Sequence, residues 1–212
     1  MHNALQFGFA KMMLSKAKVF PPADEFIRLF REEMNKLQGN FSKKEFERRM
    51  KIGQQNMRNY YDKHGSTWHK KVRLEYELKN VEMDGIPLTG TIDRLELHSD
   101  NFAHIVDYKT GNQDSKKMRR PKFDAGLDQY ELVQKSGTYY RQLVFYKILY
   151  EYHRHHGREV KNAEISYLEP DSKGNFLSKK IVFKAADIAF VKGLIKDTYE
   201  KIMAHDFYEG CG

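Results

Sequence analysis

Asp107-Tyr108-Lys109 closes an apolar run that begins at Ala103, and Asp93 lies fourteen residues earlier in Gly90-Thr91-Ile92-Asp93-Arg94. Side chains alternate along a strand, so Asp107 and Lys109 are expected on one side, with Cα atoms about 6.6 Å apart. A carboxylate suited to a hard cation then shares a site with an ammonium group. Phosphodiester hydrolysis needs both: carboxylates that hold the cation, and positive charge beside the attacking water or the pentavalent phosphate. Asp93, Asp107 and Lys109 are the residues expected to carry that chemistry. Two carboxylates on adjacent strands are costly to bring together unless a cation joins them. The residues alone leave a plainer arrangement open, in which Asp93 pairs with Arg94 or caps a turn and Asp107 faces water at a strand end.

The elements that must position these groups can be read from periodicity and turn chemistry. Residues 3–19 carry Leu5, Phe9, Met12, Met13 and Val19 near helical spacing, and Pro21-Pro22 ends the segment. Ala23 to Leu37 repeats the pattern, and Ser42 followed by Glu45 is a capping box that opens a third helix running to about Tyr61. From Val72 the pattern changes to alternation, and Asp84-Gly85 makes a hairpin turn that returns the chain through Ile86 to Leu97. Ser99-Asp100-Asn101 turns it again into the apolar strand Phe102 to Lys109, so Asp93 and Asp107 fall on neighbouring strands. Ile92 is expected opposite Asp93, with Leu95 and Leu97 on the Asp93 side. Residues 110–136 read as a long loop without periodicity. A helix over Tyr139 to Tyr152, strands near Ala163 to Leu168 and Phe176 to Phe183, and a helix over Ala185 to Met203 complete the order.

A chain of 212 residues supports one sizeable core, and a single domain over 1–212 is expected, with a helical part at 1–65, a three-stranded meander at 70–110 and a helix-strand-strand-helix unit at 137–212. Its net charge of +8 favours polyanionic partners, with DNA first among them. The one cysteine, Cys211, excludes an internal disulfide and any multi-cysteine metal site held by these residues alone, which points to a reducing, cytoplasmic setting. No apolar stretch approaches the roughly 20 residues that cross a bilayer, and Met1-His2-Asn3 does not open a signal peptide, so no membrane partner is expected.

Four motifs in order resemble the RecB-like branch of the PD-(D/E)XK nucleases, found in recombination helicase-nucleases and as freestanding exonucleases. They are His2 on the first helix, Gly90-Thr91-Ile92-Asp93, Asp107-Tyr108-Lys109, and Gln142-Leu143-Val144-Phe145-Tyr146. The resemblance implies an α/β fold, a restriction-endonuclease-like mixed sheet of about five strands flanked by helices, with the N-terminal third helical. It implies Mg²⁺ or Mn²⁺ held by His2, Asp93, Asp107 and the Tyr108 main-chain carbonyl, with Lys109 orienting or activating water and Gln142 and Tyr146 completing the site. Apart from the family, Gln142 and Tyr146 are four apart and share a helix face. There they either hydrogen-bond phosphate or base, or form a plain pair with the tyrosine buried. The implied function is a DNA nuclease, an exonuclease of repair or recombination of a kind that also occurs as the nuclease domain of a helicase-nuclease. The alternatives are a catalytically silent DNA-binding module of a helicase complex and a hydrolase of another phosphate ester.

Lys116, Lys117, Arg119, Arg120 and Lys122 form a basic stretch expected to guide a phosphate backbone rather than read bases; a solvated loop is the other reading. His153, His155 and His156 read as surface cations at a helix end, and Trp68 as a residue packed at the core edge. Phe207 to Gly212 resembles the start of a cysteine-containing tail of some helicase-linked members, and no P-loop occurs in the chain.

Overall fold

The computed structural model describes residues 1–206 apart from 100, 112, 124, 125, 155 and 156, so His155, His156 and the segment 207–212 lie outside the described residues. Helix α1 spans His2–Leu14, α2 Ala23–Lys36 and α3 Lys43–His64, and the hairpin β1 (Val72–Met83) and β2 (Ile86–Leu97) leads into β3 (Phe102–Lys109). Helices α4 (Gln129–Lys135) and α5 (Thr138–Tyr152), strands β4 (Glu159–Tyr167) and β5 (Ser178–Val182), and helix α6 (Ala185–Met203) follow. The strands form one mixed sheet in the order β1-β2-β3-β4-β5. β3 and β4 run parallel, and the other neighbours are antiparallel.

Two apolar clusters lie on the two faces of this sheet. One gathers Leu5, Phe9, Phe26, Met57 and Tyr60 from α1 to α3 against Val72, Val106 and Tyr108. The other gathers Leu143, Leu149, Phe190 and Val191 from α5 and α6 against Ile92, Leu95, Ile105 and Ile165. A parallel β3–β4 pair needs a crossover, and α5 supplies it. Trp68 is 8% exposed and its ring centroid lies 5.1 Å from that of Phe9 and 5.3 Å from that of Phe26, the edge-of-core packing expected of it.

Four boundaries differ from the sequence reading. α1 stops at Leu14, because Ser15 adopts an extended backbone and its hydroxyl donates back to the Met12 carbonyl at 3.1 Å, which leaves Val19 exposed. α3 continues to His64, and β4 begins four residues earlier than expected, at Glu159. The segment 110–136 holds a 3-10 turn at Ser115–Met118 and helix α4. α4 opens on a reciprocal capping box: Asp128 Oδ1 accepts from the Glu131 N–H at 2.8 Å and Glu131 Oε2 accepts from the Asp128 N–H at 3.1 Å. The Asp-x-x-Glu signature is visible in the sequence.

One buried anion ties this segment to the end of the fold. Asp187, fully buried at the start of α6, accepts from Tyr140 Oη at 2.7 Å, Arg120 Nη2 at 2.8 Å and the Lys184 N–H at 2.8 Å. Asp187→Ala leaves three donors without their acceptor, and a loss of about 3 kcal/mol is expected. Urea unfolding would show this as a lowered midpoint at unchanged slope. An unmoved midpoint would mean that the pair contributes nothing to stability.

Candidate functional site

The site lies where β3 leaves β2, while β1 and β2 stay paired on both sides of it. The β2–β3 ladder is last registered at Arg94↔Val106, which puts Asp93 and Asp107 opposite one another one step beyond it. The Tyr108 N–H donates instead to Asp93 Oδ2 at 2.8 Å. On the other side, β1 pairs Leu74 with Arg94 and Tyr76 with Ile92, so Glu75 stands opposite Asp93. Three acidic residues therefore form a row across three strands.

Glu75 has φ 43°, a left-handed conformation that is uncommon for a non-glycine residue and is typically found at functional or strained positions. It changes the alternation of the hairpin. Val72 and Leu74 pack with the N-terminal helices, whereas Tyr76 and Leu78 pack with the cluster of α5 and α6. The partner strand switches at the same level, with Ile92 and Leu95 in one cluster and Arg94 turned the other way. Strict alternation placed Ile92 opposite Leu95; the kink at Glu75 and Asp93 puts them on one face.

Arg94 is buried, with its guanidinium 4.9 Å from the Phe9 ring centroid, a hydrogen bond to the Tyr108 hydroxyl and Nη2 2.9 Å from Glu96 Oε1. It does not pair with Asp93. Asp107 is 1% exposed and does not face water. Neither plain arrangement left open by the residue types is the one observed.

His2, the first residue of α1, reaches across the row. Its Nε2 lies 2.9 Å from Glu75 Oε1 and 3.7 Å from Asp93 Oδ2, and its ring meets the Tyr108 ring edge-on at 5.7 Å. Ligand atoms of His2, Glu75 and Asp93 lie within 4.8 Å of one another, the one such group among the described residues. His2 Nε2, Glu75 Oε1 and Asp107 Oδ2 are buried without a hydrogen bond of acceptable geometry. Each has a charged neighbour, His2 and Glu75 each other and Asp107 the Lys109 ammonium, and the crowding of an imidazole and two carboxylates, His2, Glu75 and Asp93, within 4.8 Å is a donor set that fits a divalent cation. Glu75 was not singled out in the sequence, where it is one charged position in an alternating strand.

The charges respond to this crowding. Burial, reinforced by the Asp93 charge and opposed by Lys109, pushes the Asp107 carboxyl up to about 6. Burial and Asp93 also raise Glu75, against the pull of His2. Lys109 Nζ lies 2.6 Å from Asp107 Oδ2, so the two groups predicted to share a strand face form an ion pair. From α5, the Gln142 amide donates to the Tyr146 hydroxyl at 2.9 Å, and burial together with the Asp107 charge holds the Tyr146 phenol above its ordinary range. Of the two readings, the structure has the plain one, a buried tyrosine satisfied by its glutamine, with the phenol toward Asp107. Gly90 allows the approach, since a Cβ there would come within 2.8 Å of Leu149 Cδ2 on α5.

The basic stretch divides. Lys116, Arg119 and Lys122 are exposed and Lys117 is half-buried beside Tyr139. Arg120 is taken up by Asp187 and the Val182 carbonyl, which makes it a brace between loop and helix. No helix among the described residues is long and apolar enough to cross a membrane.

Comparison with known families matches residues 1–209 to the PD-(D/E)XK nuclease superfamily. Among solved structures, the crystal structure of SSO0001 is similar at 13% sequence identity, over 92% of this chain and 85% of that one, with a TM-score of 0.38. Comparison with curated proteins finds no match.

Proposed function

The chain belongs to the PD-(D/E)XK nuclease superfamily, and from that premise we propose that it is a Mg²⁺- or Mn²⁺-dependent deoxyribonuclease of the RecB-like branch, an exonuclease of repair or recombination that can work beside a helicase module. The observation that carries this reading is the convergence of His2, Glu75 and Asp93, whose ligand atoms lie within 4.8 Å of one another, with the buried Asp107 opposite Asp93 on the neighbouring strand. In the proposed centre His2, Glu75, Asp93 and Asp107 hold the cation, with the Tyr108 carbonyl as a further ligand. A bound divalent cation supplies a Lewis acid for the phosphoryl oxygen and a more acidic water.

The remaining work falls to side chains. Lys109, at the end of β3, puts its ammonium beside Asp107 and orients the attacking water or offsets charge on the pentavalent phosphate. Tyr146 and Gln142 fix the orientation of Asp107 from α5. Lys116, Lys117, Arg119 and Lys122 attract the backbone without reading sequence.

Digestion of end-labelled single- and double-stranded DNA with Mg²⁺, Mn²⁺ or EDTA tests the reading, with Lys109→Ala as the comparison. Cleavage that EDTA stops is expected, reduced about a hundredfold or more in the variant. Terminal mononucleotides rather than internal fragments would support exonuclease action. DNA binding with no product under any metal would instead favour a silent binding module, and turnover of small phosphate esters alone would favour a different hydrolase.

A further inference from the structure

We propose, on the nuclease reading above, that Tyr139 is a positioning residue that holds Lys109 in place, and that Lys117 is a second cation at the same reacting phosphate. Tyr139 lies in the first turn of α5, and Tyr139, Gln142 and Tyr146 follow one helical face at spacings of three and four. That face is the one turned to Asp107.

Two lysines from different parts of the chain meet on this one ring. Lys109 Nζ, from the end of β3, lies 5.1 Å from the Tyr139 ring centroid. Lys117 Nζ, from the 3-10 turn Ser115–Met118, lies 5.0 Å from the same centroid and 3.4 Å from the Tyr139 hydroxyl. A ring face attracts an ammonium through its quadrupole, so the tyrosine offers each lysine a seat that leaves N–H groups for another acceptor. Asp107 offsets the charge of Lys109, no carboxylate among the described residues forms an ion pair with Lys117, and an anion between the two ammonium groups is attracted by both.

The turn carrying Lys117 is built onto α5. Gly137 is buried, and a Cβ there would lie 2.1 Å from the Lys117 carbonyl oxygen and 2.6 Å from that of Lys116. Its N–H donates to the Arg119 carbonyl at 2.8 Å, and Asp114 Oδ1 accepts from the Lys116 N–H at 2.8 Å. Lys117 is therefore fixed relative to Lys109, in contrast to the exposed Lys116, Arg119 and Lys122. As charge grows on the phosphoryl oxygens toward the pentavalent state, a second fixed ammonium beside Lys109 favours that state over the ground state.

The test uses the full chain in two independent readouts. The first is NMR of protein labelled with ¹³C in lysine, with the two signals assigned through Lys109→Arg and Lys117→Arg. The ε-methylene protons of both lysines should be displaced by the ring current of Tyr139, lose that displacement in Tyr139→Leu, and keep it in Tyr139→Phe. The second is the single-turnover rate of DNA cleavage at saturating enzyme. Tyr139→Leu and Lys117→Ala should each slow it about tenfold, Tyr139→Phe should recover most of the loss, and the double variant should fall short of the product of the singles.

If Lys117 is only a backbone contact, Lys117→Ala weakens DNA binding and lowers its salt slope by about one while the saturated rate stands, which overturns the proposal. Cleavage by the natural chain with undisplaced lysine signals overturns the positioning role. Displaced signals without any cleavage overturn the substrate reading beneath it, and Lys117's role falls with that reading.

Discussion

Asp107→Ala is expected to lose metal-dependent hydrolysis by about a thousandfold or more and, in the absence of metal, to gain stability relative to the natural chain as pH rises from about 4 through about 6. Both effects have one cause. Asp107 is 1% exposed beside Asp93, and its carboxyl is pushed up to about 6 by burial first and by that neighbour second. In the unfolded chain the same group titrates near about 3.9. The folded state thus binds this proton more tightly, so the group's favourable contribution is fully present below about pH 4 and is lost as pH rises through about 6. The shift corresponds to about 3 kcal/mol against the folded, metal-free protein at neutral pH. Urea unfolding in EDTA at pH 4.5 and pH 8 measures it as the difference between natural chain and variant, which cancels the other carboxylates. A difference that does not change between the two pH values would sink the burial argument, and retained cleavage would remove Asp107 from the centre.

Glu75→Gln should weaken Mn²⁺ binding by roughly ten- to a hundredfold while leaving the sheet folded, because it removes one anionic ligand and keeps the shape. Glu75 is pushed upward by burial and by Asp93, as Asp107 is. A cation must displace those protons, so affinity in the natural chain should rise with pH, for Asp107 through about 6, with proton release on binding. Titration calorimetry in two buffers of different ionisation enthalpy reads the proton count directly. The variant should release fewer. Unchanged affinity and an unchanged proton count would put Glu75 outside the centre and leave the contact with His2 as a simple ion pair.

Much of the acidic row was legible because its members are close in the chain and lie in strands joined by recognisable turns. Asp84-Gly85 sets the hairpin, Ser99 to Asn101 begins the return, and alternation along Phe102 to Lys109 puts Asp107 and Lys109 together. Those are local rules with a period of two, and local rules can be read residue by residue. Gln142 and Tyr146 were legible for the same reason, on the helical period. The helix α4 was missed in the segment read as a loop: its seven residues show too little apolar periodicity to mark a helix, and the one local signal, Asp128 followed by Glu131, was passed over.

Glu75 was not legible. Between Leu74 and Tyr76 it reads as a solvent-facing charge, and only its left-handed backbone, opposite Asp93, turns it toward His2. Arg120 misled in the opposite direction, since a basic run looks uniform until a buried Asp187 from α6 claims one member. Tyr139, one of thirteen tyrosines, gains its place only when β3 and the turn at Ser115–Met118 bring two lysines to its ring. The order of the strands and longer helices, the short-range pairs and the chemical types available were readable from the residues alone, because backbone periodicity and turn conformation govern them. The tertiary structure decided which charges are buried together and which are satisfied, because burial and pairing depend on segments far apart in the chain and on a kink that no local pattern encodes.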